Sequence, residues 1–302
     1  MGKEFGLHRR QYRIRDLIPY INWVYFYHAW GFQPKYAAVE TFNHCYCCQL
    51  NWINSFPEEE RPKAREAVKI YQDAMREIRL SDASFHTYGN VLLAACNSRG
   101  NDLLLYLSSG TITIPFLRQQ NGKPPYLCLS DFIHPENQNE PDTIALFCTT
   151  VNTGMEKLYP DDDYRHLLVV TLADRLAEAS AEKLHEEVRK SIWGYDPDEH
   201  LTPQEMNEEA FQGIRPAVGY PSLPDISLNR LILPLLDYKS LGMTLTENAM
   251  MIPHASVSGF MFSHPKSRYF SVGKISHEQF KDYANRRQMS PDEMRPFLIA
   301  NL

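Results

Sequence analysis

The sequence lacks the features that would assign it to a membrane or nucleic-acid-binding class. No apolar run approaches the ~20 residues that are needed to cross a bilayer, and the first residues include no apolar segment of a signal peptide. Basic residues number 31 against 37 acidic ones, a formal net charge of −6, so no basic excess is available to bind a phosphate backbone. We expect a cytoplasmic protein that binds neither membranes nor nucleic acid.

Glycine and cysteine are also scarce. The 14 glycines never form a Gly-x-Gly pair, which argues against a Rossmann-type cofactor loop. Six cysteines in 302 residues are too few for a disulfide scaffold. Cys45, Cys47 and Cys48 lie beside His44, but Cys-x-Cys-Cys lacks the two-residue gaps of common zinc sites. We expect reduced, partly buried thiols and no metal; a thiol or metal protein built around this cluster is an alternative.

Apolar periodicity predicts several helices. From Pro57 to Leu80, apolar residues recur at steps of four and three, as in a helix packed against a core. A longer helix is predicted from about Tyr164 to Trp193, because three aspartates precede it and basic residues lie near its end. Ile14 to Trp30 and Leu228 to Leu236 are predicted to be helical too. Capping patterns predict shorter helices after residues 202, 276 and 290.

Segments rich in β-branched and apolar residues predict strands. Leu103 to Leu107 and Thr111 to Phe116 flank Ser-Ser-Gly and predict a hairpin. Thr143 to Val151 predicts a central strand, and two further strands are predicted at residues 255–262 and 269–275. No repeat, low-complexity tract or linker divides the chain, and its length permits one large core. We predict a single α+β domain over residues 1–302, with a central antiparallel sheet flanked by long helices.

Residues Gln212 to Pro221, here called the Arg215 loop, combine one cation, one aromatic ring, two prolines and two glycines. A guanidinium such as that of Arg215 can bind a carboxylate through two parallel hydrogen bonds. Pro216 and Pro221 restrict the backbone, and Gly219 lets the main chain approach a ligand closely. The composition therefore favours a grip on a small charged ligand; a buried loop with a solvated arginine fits it equally well.

Three acidic residues share one face of the longest predicted helix. Asp174, Glu178 and Glu182 follow one another at steps of four. Acidic residues on a helix usually form a solvated face. From the residue types alone, a solvated face is the expectation here.

Three segments carry a resemblance to a known family. They are GIRPAVGYP in the Arg215 loop, LADRLAE in the longest predicted helix, and LTENAMMIPHASVSGFMFSHPKSRYFSVGKI downstream. They resemble the activation domain of cobalamin-dependent methionine synthase, and the similarity runs from about Tyr20 to Leu302. Members of that family bind S-adenosylmethionine and hold its methionine end with the loop that matches GIRPAVGYP. Tyr88 to Asn97 departs from the family pattern, and a remodelled loop is predicted there.

The resemblance also implies which residues bind the ligand. Arg215 suits the carboxylate of S-adenosylmethionine, and acidic residues suit its ammonium and sulfonium groups. Aromatic rings can cover the adenosine or lie against the cation. The implied set is Asn22, Glu178, Glu209, Arg215, Ala217, Gly219, Tyr220, Tyr269 and Phe270.

Two of these positions depart from the family, and one further residue faces a partner. Asn22 stands where the family has an aspartate, so the negative charge is missing; a capping role at a helix start is its alternative. Phe270 replaces a usual tyrosine and keeps the ring without the hydroxyl. Asp174 falls near the surface that meets the cobalamin module in the family.

The resemblance implies a function carried out with partners. The domain would present the methyl group of S-adenosylmethionine to cobalt on a separate cobalamin-binding module, with an electron from flavodoxin or a flavoprotein reductase, and so reactivate methionine synthase. It would belong to a methyltransferase without being catalytic alone. No cobalamin, homocysteine or folate module can be fitted into the chain, so a free-standing subunit or an excised domain is expected. The alternative, favoured by Asn22 and Phe270, is a sensor or accessory subunit for another corrinoid protein, without methyl transfer.

Overall fold

An antiparallel sheet of six strands lies at the centre of the structure. The computed structural model describes residues 3–42, 46–138 and 140–302. In chain order, the strands are β1 (Gly6–Arg13), β2 (His86–Arg99), β3 (Asp102–Leu107), β4 (Gly110–Pro115), β5 (Asp142–Val151), β6 (Thr244–Leu245), β7 (Met251–Ile252) and β8 (Ser256–Met261). β6 and β7 form a separate pair, and the other six form the central sheet in the order β4-β3-β2-β5-β8, with β1 also paired to β2.

The long strand β2 holds this sheet together. Along one edge it pairs first with β1 and then, from Ala95 onward, with β3; along its other edge it pairs with β5 over residues 87–96. β5 in turn pairs with β8, from Ala145 opposite Met261 to Thr150 opposite Ser256. This order leaves the second edge of β8 available for other backbone groups.

Side chains of the sheet alternate between two buried faces. Val91 and Leu93 of β2 pack beneath the longest helix, together with Phe147 of β5. Their neighbours Leu92 and Leu146 point to the opposite face, into a core shared with the chain beyond the Arg215 loop. Because both faces are covered, β2 and β5 contain nearly continuous apolar runs instead of an alternating pattern.

Helices cover both faces of the sheet. They are α1 (Trp23–Ala29), α2 (Tyr46–Asn54), α3 (Arg61–Ser81), α4 (Asp163–Glu187), α5 (Pro203–Asn207), α6 (Asn229–Ile232), α7 (His277–Arg286) and α8 (Pro291–Leu298). α3 and α4 confirm the two long predicted helices, and a π-helical turn over Val188–Ile192 extends α4. Thr202, Ser276 and Ser290 cap α5, α7 and α8 as predicted. The predicted α+β class with a central antiparallel sheet is confirmed.

Two predictions about strands were wrong. Tyr88 to Asn97 is not a remodelled loop but the middle of β2, and its run of apolar residues reflects burial on both faces. The strand predicted at residues 269–275 does not form, because its backbone bonds to irregular segments. The Val272 N–H donates to the Pro221 carbonyl oxygen, and the Ile275 N–H donates to that of Asn301.

Two other regions differ from the prediction for local reasons. The apolar helix predicted over Leu228–Leu236 is divided into α6 and short 3-10 turns, and Pro234 lies within the second of these turns. The segment predicted as helical from Ile14 to Trp30 is a 3-10 turn over Ile14–Tyr20 followed by α1. β1 was not predicted from the sequence, because its residues are mostly polar.

In the described residues, no helix combines the length and apolar character needed to cross a membrane. Those residues also contain no group of three or more His, Cys, Asp or Glu side chains placed to hold a metal ion. His44 and Cys45 of the predicted thiol cluster lie outside the described residues. Cys96, Cys128 and Cys148 are buried, and burial raises the pKa of the Cys148 thiol to about 12.

The Arg215 loop lies along the available edge of β8. The Ile214 N–H donates to the Phe262 carbonyl oxygen at 3.0 Å, and the Phe262 N–H donates back to Ile214 at 2.9 Å. Further along, the Val218 N–H donates to the Ser258 carbonyl oxygen at 2.8 Å. A Cβ atom on Gly259 would lie 2.2 Å from the Pro216 carbonyl oxygen, so glycine is required at that position for the loop to come this close.

We predict that Gly259→Ala destabilises the protein by about 1–3 kcal/mol, because the new methyl group collides with loop backbone that cannot move aside cheaply. Chemical denaturation measures the change. Gly89→Ala in β2 is the matched control: its Cβ would first meet side-chain atoms of Leu184 and Thr149 at 3.2 and 3.3 Å, which can shift more easily. Equal stability losses in the two variants would contradict this account of Gly259.

Candidate ligand-binding site

One face of α4 and its extension carries four polar side chains toward the Arg215 loop. Glu178, Glu182, His185 and Arg189 are spaced by four, three and four residues, so they lie along one side of the helix. His185 and Arg189 are completely buried, and Glu182 is largely buried. The opposite side of α4 packs on the sheet through residues such as Leu184. The predicted stripe of Asp174, Glu178 and Glu182 is therefore not a fully solvated face, since its side chains are 30%, 34% and 15% exposed.

Arg215 and Glu182 form the centre of this surface. Nη2 of Arg215 donates to Oε2 of Glu182 at 2.7 Å, with side-chain exposures of 16% and 15%. Nε of Arg215 and Oε1 of Glu182 are buried and have no hydrogen-bond partner among the described residues. Buried polar atoms without partners are rare and costly. The ion pair therefore leaves one buried donor and one buried acceptor without a partner among the described residues.

Unpaired buried polar atoms are concentrated in this region. Nine such side-chain atoms occur in the described residues, and five of them belong to α4, its extension or the Arg215 loop. These five are Arg175 Nε, Glu182 Oε1, His185 Nδ1, Arg189 Nη1 and Arg215 Nε. Because most buried polar groups of a folded protein have partners, this concentration makes the region the candidate for a polar ligand.

Two further acids complete the charge pattern. Glu178 accepts a hydrogen bond from Nη1 of Arg175 at 2.7 Å, yet burial raises the pKa of its carboxyl group against the lowering effect of Arg175 and Arg215. Partial burial also raises the pKa of Glu209, which lies close enough to Arg215 and Glu182 to respond to both charges. A bound cation would stabilise both carboxylates in their charged form.

Aromatic residues flank the arginine. The backbone N–H of Arg215 donates to the hydroxyl oxygen of Tyr269 at 2.9 Å, and burial raises the pKa of that phenol. Tyr220 is about half exposed, and burial together with the charge of Glu178 raises its pKa. Phe270 packs against Phe132 in the core, with ring centroids 6.5 Å apart. A role for the Phe270 ring at an adenosyl group stays a prediction.

Asn22 and Asp174, two further predicted residues, make contacts of other kinds. Oδ1 of Asn22 accepts hydrogen bonds from the backbone N–H groups of Val24 and Tyr25 at 3.1 and 3.3 Å, so it caps α1. Asp174 Oδ1 lies 3.4 Å from Nδ1 of the exposed His254. The capping alternative for Asn22 describes its present contacts, while its contact with a ligand stays a prediction.

Ala217 and Gly219 contribute backbone shape to the loop. Ala217 forms an isolated β-bridge with Gly259, and Gly219 adopts a φ of +89° that favours glycine. The Gly219 N–H donates to the Leu223 carbonyl oxygen at 2.8 Å, which closes the turn after the loop. The loop thus has a fixed backbone near Arg215.

Comparison with known proteins identifies the family. A family model described as the activation domain of vitamin B12 dependent methionine synthase matches residues 13–288. The chain belongs to this family. A crystal structure of the MetH reactivation domain bound to AdoHcy is 35% identical in sequence and superposes with a TM-score of 0.86, covering 100% of this chain and 91% of that one. The resemblance expected from the sequence is confirmed, as is the fold of the activation domain.

Sequence reasoning missed three contributors to the site of this activation domain. Glu182 was recognised only as a member of the acidic stripe, although it forms the direct partner of Arg215. His185 and Arg175 were not singled out. The helical spacing from Glu178 through Glu182 to His185 was the available signal, because it continues the stripe by one further turn toward the buried end.

We predict that His185 makes stability depend on pH. Burial and the charges of Arg189 and Arg215 hold its pKa well below its ordinary value of about 6.5, and the Tyr195 hydroxyl lies 3.5 Å from its Nε2. The unfolded chain therefore binds a proton that the folded chain does not. The free energy of unfolding should fall as pH drops below about 6.5, by up to about 1.4 kcal/mol per pH unit for this group.

Denaturation between pH 7 and pH 5 measures this slope. His185→Gln should flatten it, whereas His277→Gln, at an exposed histidine, should leave it unchanged. An unaltered slope in the His185 variant would show that the buried ring is not the group responsible.

Proposed function

We propose that this chain binds S-adenosylmethionine at the Arg215–Glu182 centre and presents its methyl group to the cobalt of cobalamin on a partner module, for reductive reactivation of methionine synthase. The observation that carries the proposal is the ion pair of Arg215 with Glu182, which leaves one buried donor, Arg215 Nε, and one buried acceptor, Glu182 Oε1, without a partner among the described residues. The amino-acid end of S-adenosylmethionine offers one carboxylate and one ammonium group. Family membership and the AdoHcy bound to the related reactivation domain support the same ligand class.

The charges of the site match those of the whole ligand. Three carboxylates, those of Glu178, Glu182 and Glu209, lie near two guanidinium groups, those of Arg175 and Arg215. When all five are ionised, one negative charge is in excess among them, and Asp174 adds to the negative charge near Glu178. S-adenosylmethionine carries one positive charge in excess, because its sulfonium adds to a balanced amino-acid end. The electrostatic match therefore favours the sulfonium over its neutral thioether product.

Arg215 and the acids have separate tasks in this arrangement. Arg215 would hold the ligand carboxylate by charge-assisted hydrogen bonds, and its Nε–H has no other partner among the described residues. Glu182, with Glu178 and Glu209 nearby, would accept hydrogen bonds from the ammonium or stabilise the sulfonium. Tyr220 of the loop and Tyr269, which contacts the loop backbone, would cover the adenosine. Backbone atoms of Ala217 and Gly219 would fit against the ligand where no side chain intervenes.

S-adenosylmethionine supplies an electrophilic methyl group, so the chain needs no general acid or base. Its residues contribute orientation and proximity, which account for much of the rate in reactions of this kind. The cobalamin module would dock at the surface that includes Asp174, and flavodoxin or a flavoprotein reductase would supply the electron. The His254 side chain beside Asp174 lies on that surface.

We predict that Arg215→Ala weakens S-adenosylmethionine binding by about 100-fold or more, because it removes a charge-assisted contact and leaves Glu182 buried without its partner. Calorimetric titration measures the dissociation constant. Arg165→Ala is the control: it also removes an arginine paired with a buried glutamate, Glu77, but at the far end of α4. Similar affinities in both variants would place the ligand elsewhere.

The transfer step is tested by adding a cobalamin-binding module and a reductant to the titrated protein. Appearance of methylcobalamin with wild type, and its loss with Arg215→Ala, is the expected result. Asp174→Asn should keep S-adenosylmethionine binding and slow cobalt methylation, since its side-chain contact is with His254 on the proposed docking surface. Binding without any methylation would favour the sensor or accessory subunit for a different corrinoid protein.

A further inference from the structure

A buried ion pair lies just beyond the ligand-binding centre and takes no direct part in it. Nε and Nη2 of Arg189 donate to the two carboxylate oxygens of Glu199 at 2.5 and 2.8 Å. The side chains are 0% and 4% exposed. Burying both charges has an energetic cost that their attraction often fails to offset. The pair therefore calls for a role other than general stability.

The Arg189 guanidinium packs against one aromatic side chain. Its central carbon lies 4.2 Å from the ring centroid of Phe211, within the range of a cation–π contact. The His185 ring meets the same phenylalanine edge-on, with centroids 4.9 Å apart. Phe211 is thus held between two side chains of the helix face that also carries Glu182.

Phe211 anchors an otherwise exposed stretch of chain. Within residues 202–213, all described by the structure, Met206 and Phe211 are the only buried residues. Phe211 follows Glu209 by two positions and precedes Arg215 by four. Because Phe211 packs on Arg189 and His185, it fixes the backbone between Glu209 and Arg215 and thereby the positions of these two charged residues.

A second contact fixes the same stretch. The Tyr195 hydroxyl donates to the Gln212 carbonyl oxygen at 3.3 Å, and the Asp196 N–H donates to the Arg189 carbonyl oxygen at 3.0 Å. The segment that contains Tyr195 and Glu199 is therefore bonded both to the end of the helix and to the start of the Arg215 loop.

We propose that the Arg189–Glu199 pair, through Phe211 and Tyr195, is a positioning device that holds Glu209 and Arg215 in ligand-binding geometry. The choice of S-adenosylmethionine as the ligand rests on the proposed function. The positioning of the Arg215 loop by the ion pair does not. Glu199 and Arg189 act through Phe211 and do not touch the ligand. Neutralising Glu199 should loosen the chain from Phe211 to Arg215 while the sheet stays intact.

The test compares Glu199→Gln with Glu77→Gln. Glu77 is the matched control because it is 3% exposed, accepts from Nε and Nη2 of Arg165, and lies at the opposite end of α4. Both variants should lose stability to a similar degree. Glu199→Gln alone should raise the dissociation constant of S-adenosylmethionine about tenfold and speed amide hydrogen exchange at residues 211–215 in the ligand-free protein.

Equal dissociation constants and equal exchange in Glu199→Gln, Glu77→Gln and wild type would overturn the proposal. If Glu199→Gln does not fold, Tyr195→Phe tests the same link with a smaller change, because it removes only the hydroxyl, which bonds to Gln212 and lies 3.5 Å from His185 Nε2; it should also speed exchange at residues 211–215. If wild type binds no S-adenosylmethionine, the proposed function fails, and the exchange comparison still decides whether the pair positions the loop.

Discussion

Backbone hydrogen bonding between the Arg215 loop and the edge of β8 is the constraint on which the site depends. Residues 214 and 218 bond to this edge as a short irregular strand would, so the loop inherits the rigidity of a six-stranded sheet. Gly259 makes the close approach possible. Once the loop is fixed there, Arg215 faces α4 and meets Glu182 directly. A site built on regular elements in this way keeps its geometry better than one built on loops alone.

The site combines this rigid frame with polar atoms that the protein leaves unpaired. Arg215 Nε and Glu182 Oε1 lower the stability of the ligand-free protein, because each is buried without a partner. A zwitterionic ligand would satisfy both at once. Burial also raises the pKa of the Glu178 carboxyl group, and a bound cation would offset the lost hydration that causes this shift. A ligand that pairs the two unpaired atoms would regain the lost free energy as part of its binding free energy.

Local patterns predicted the elements whose chemistry is local. The four–three spacing of apolar residues in α3, the aspartates before α4 and the Ser-Ser-Gly turn between β3 and β4 each determine structure within a few residues. β1 could not be recognised in this way, because its polar residues become a strand only by pairing with β2. The pairing of Arg215 with Glu182 joins residues 33 positions apart, and the burial of His185 depends on Phe211. Those contacts follow from tertiary packing, which no short segment encodes.

The most direct test of the account is a crystal structure of this chain with S-adenosylmethionine bound. The account predicts that the ligand carboxylate lies within hydrogen-bonding distance of the Arg215 guanidinium, and that the ammonium or sulfonium lies against Glu182, Glu178 or Glu209. Arg215 Nε and Glu182 Oε1 would both have gained a partner. A ligand bound away from the Arg215 loop, with these two atoms still unpaired, would contradict the central claim.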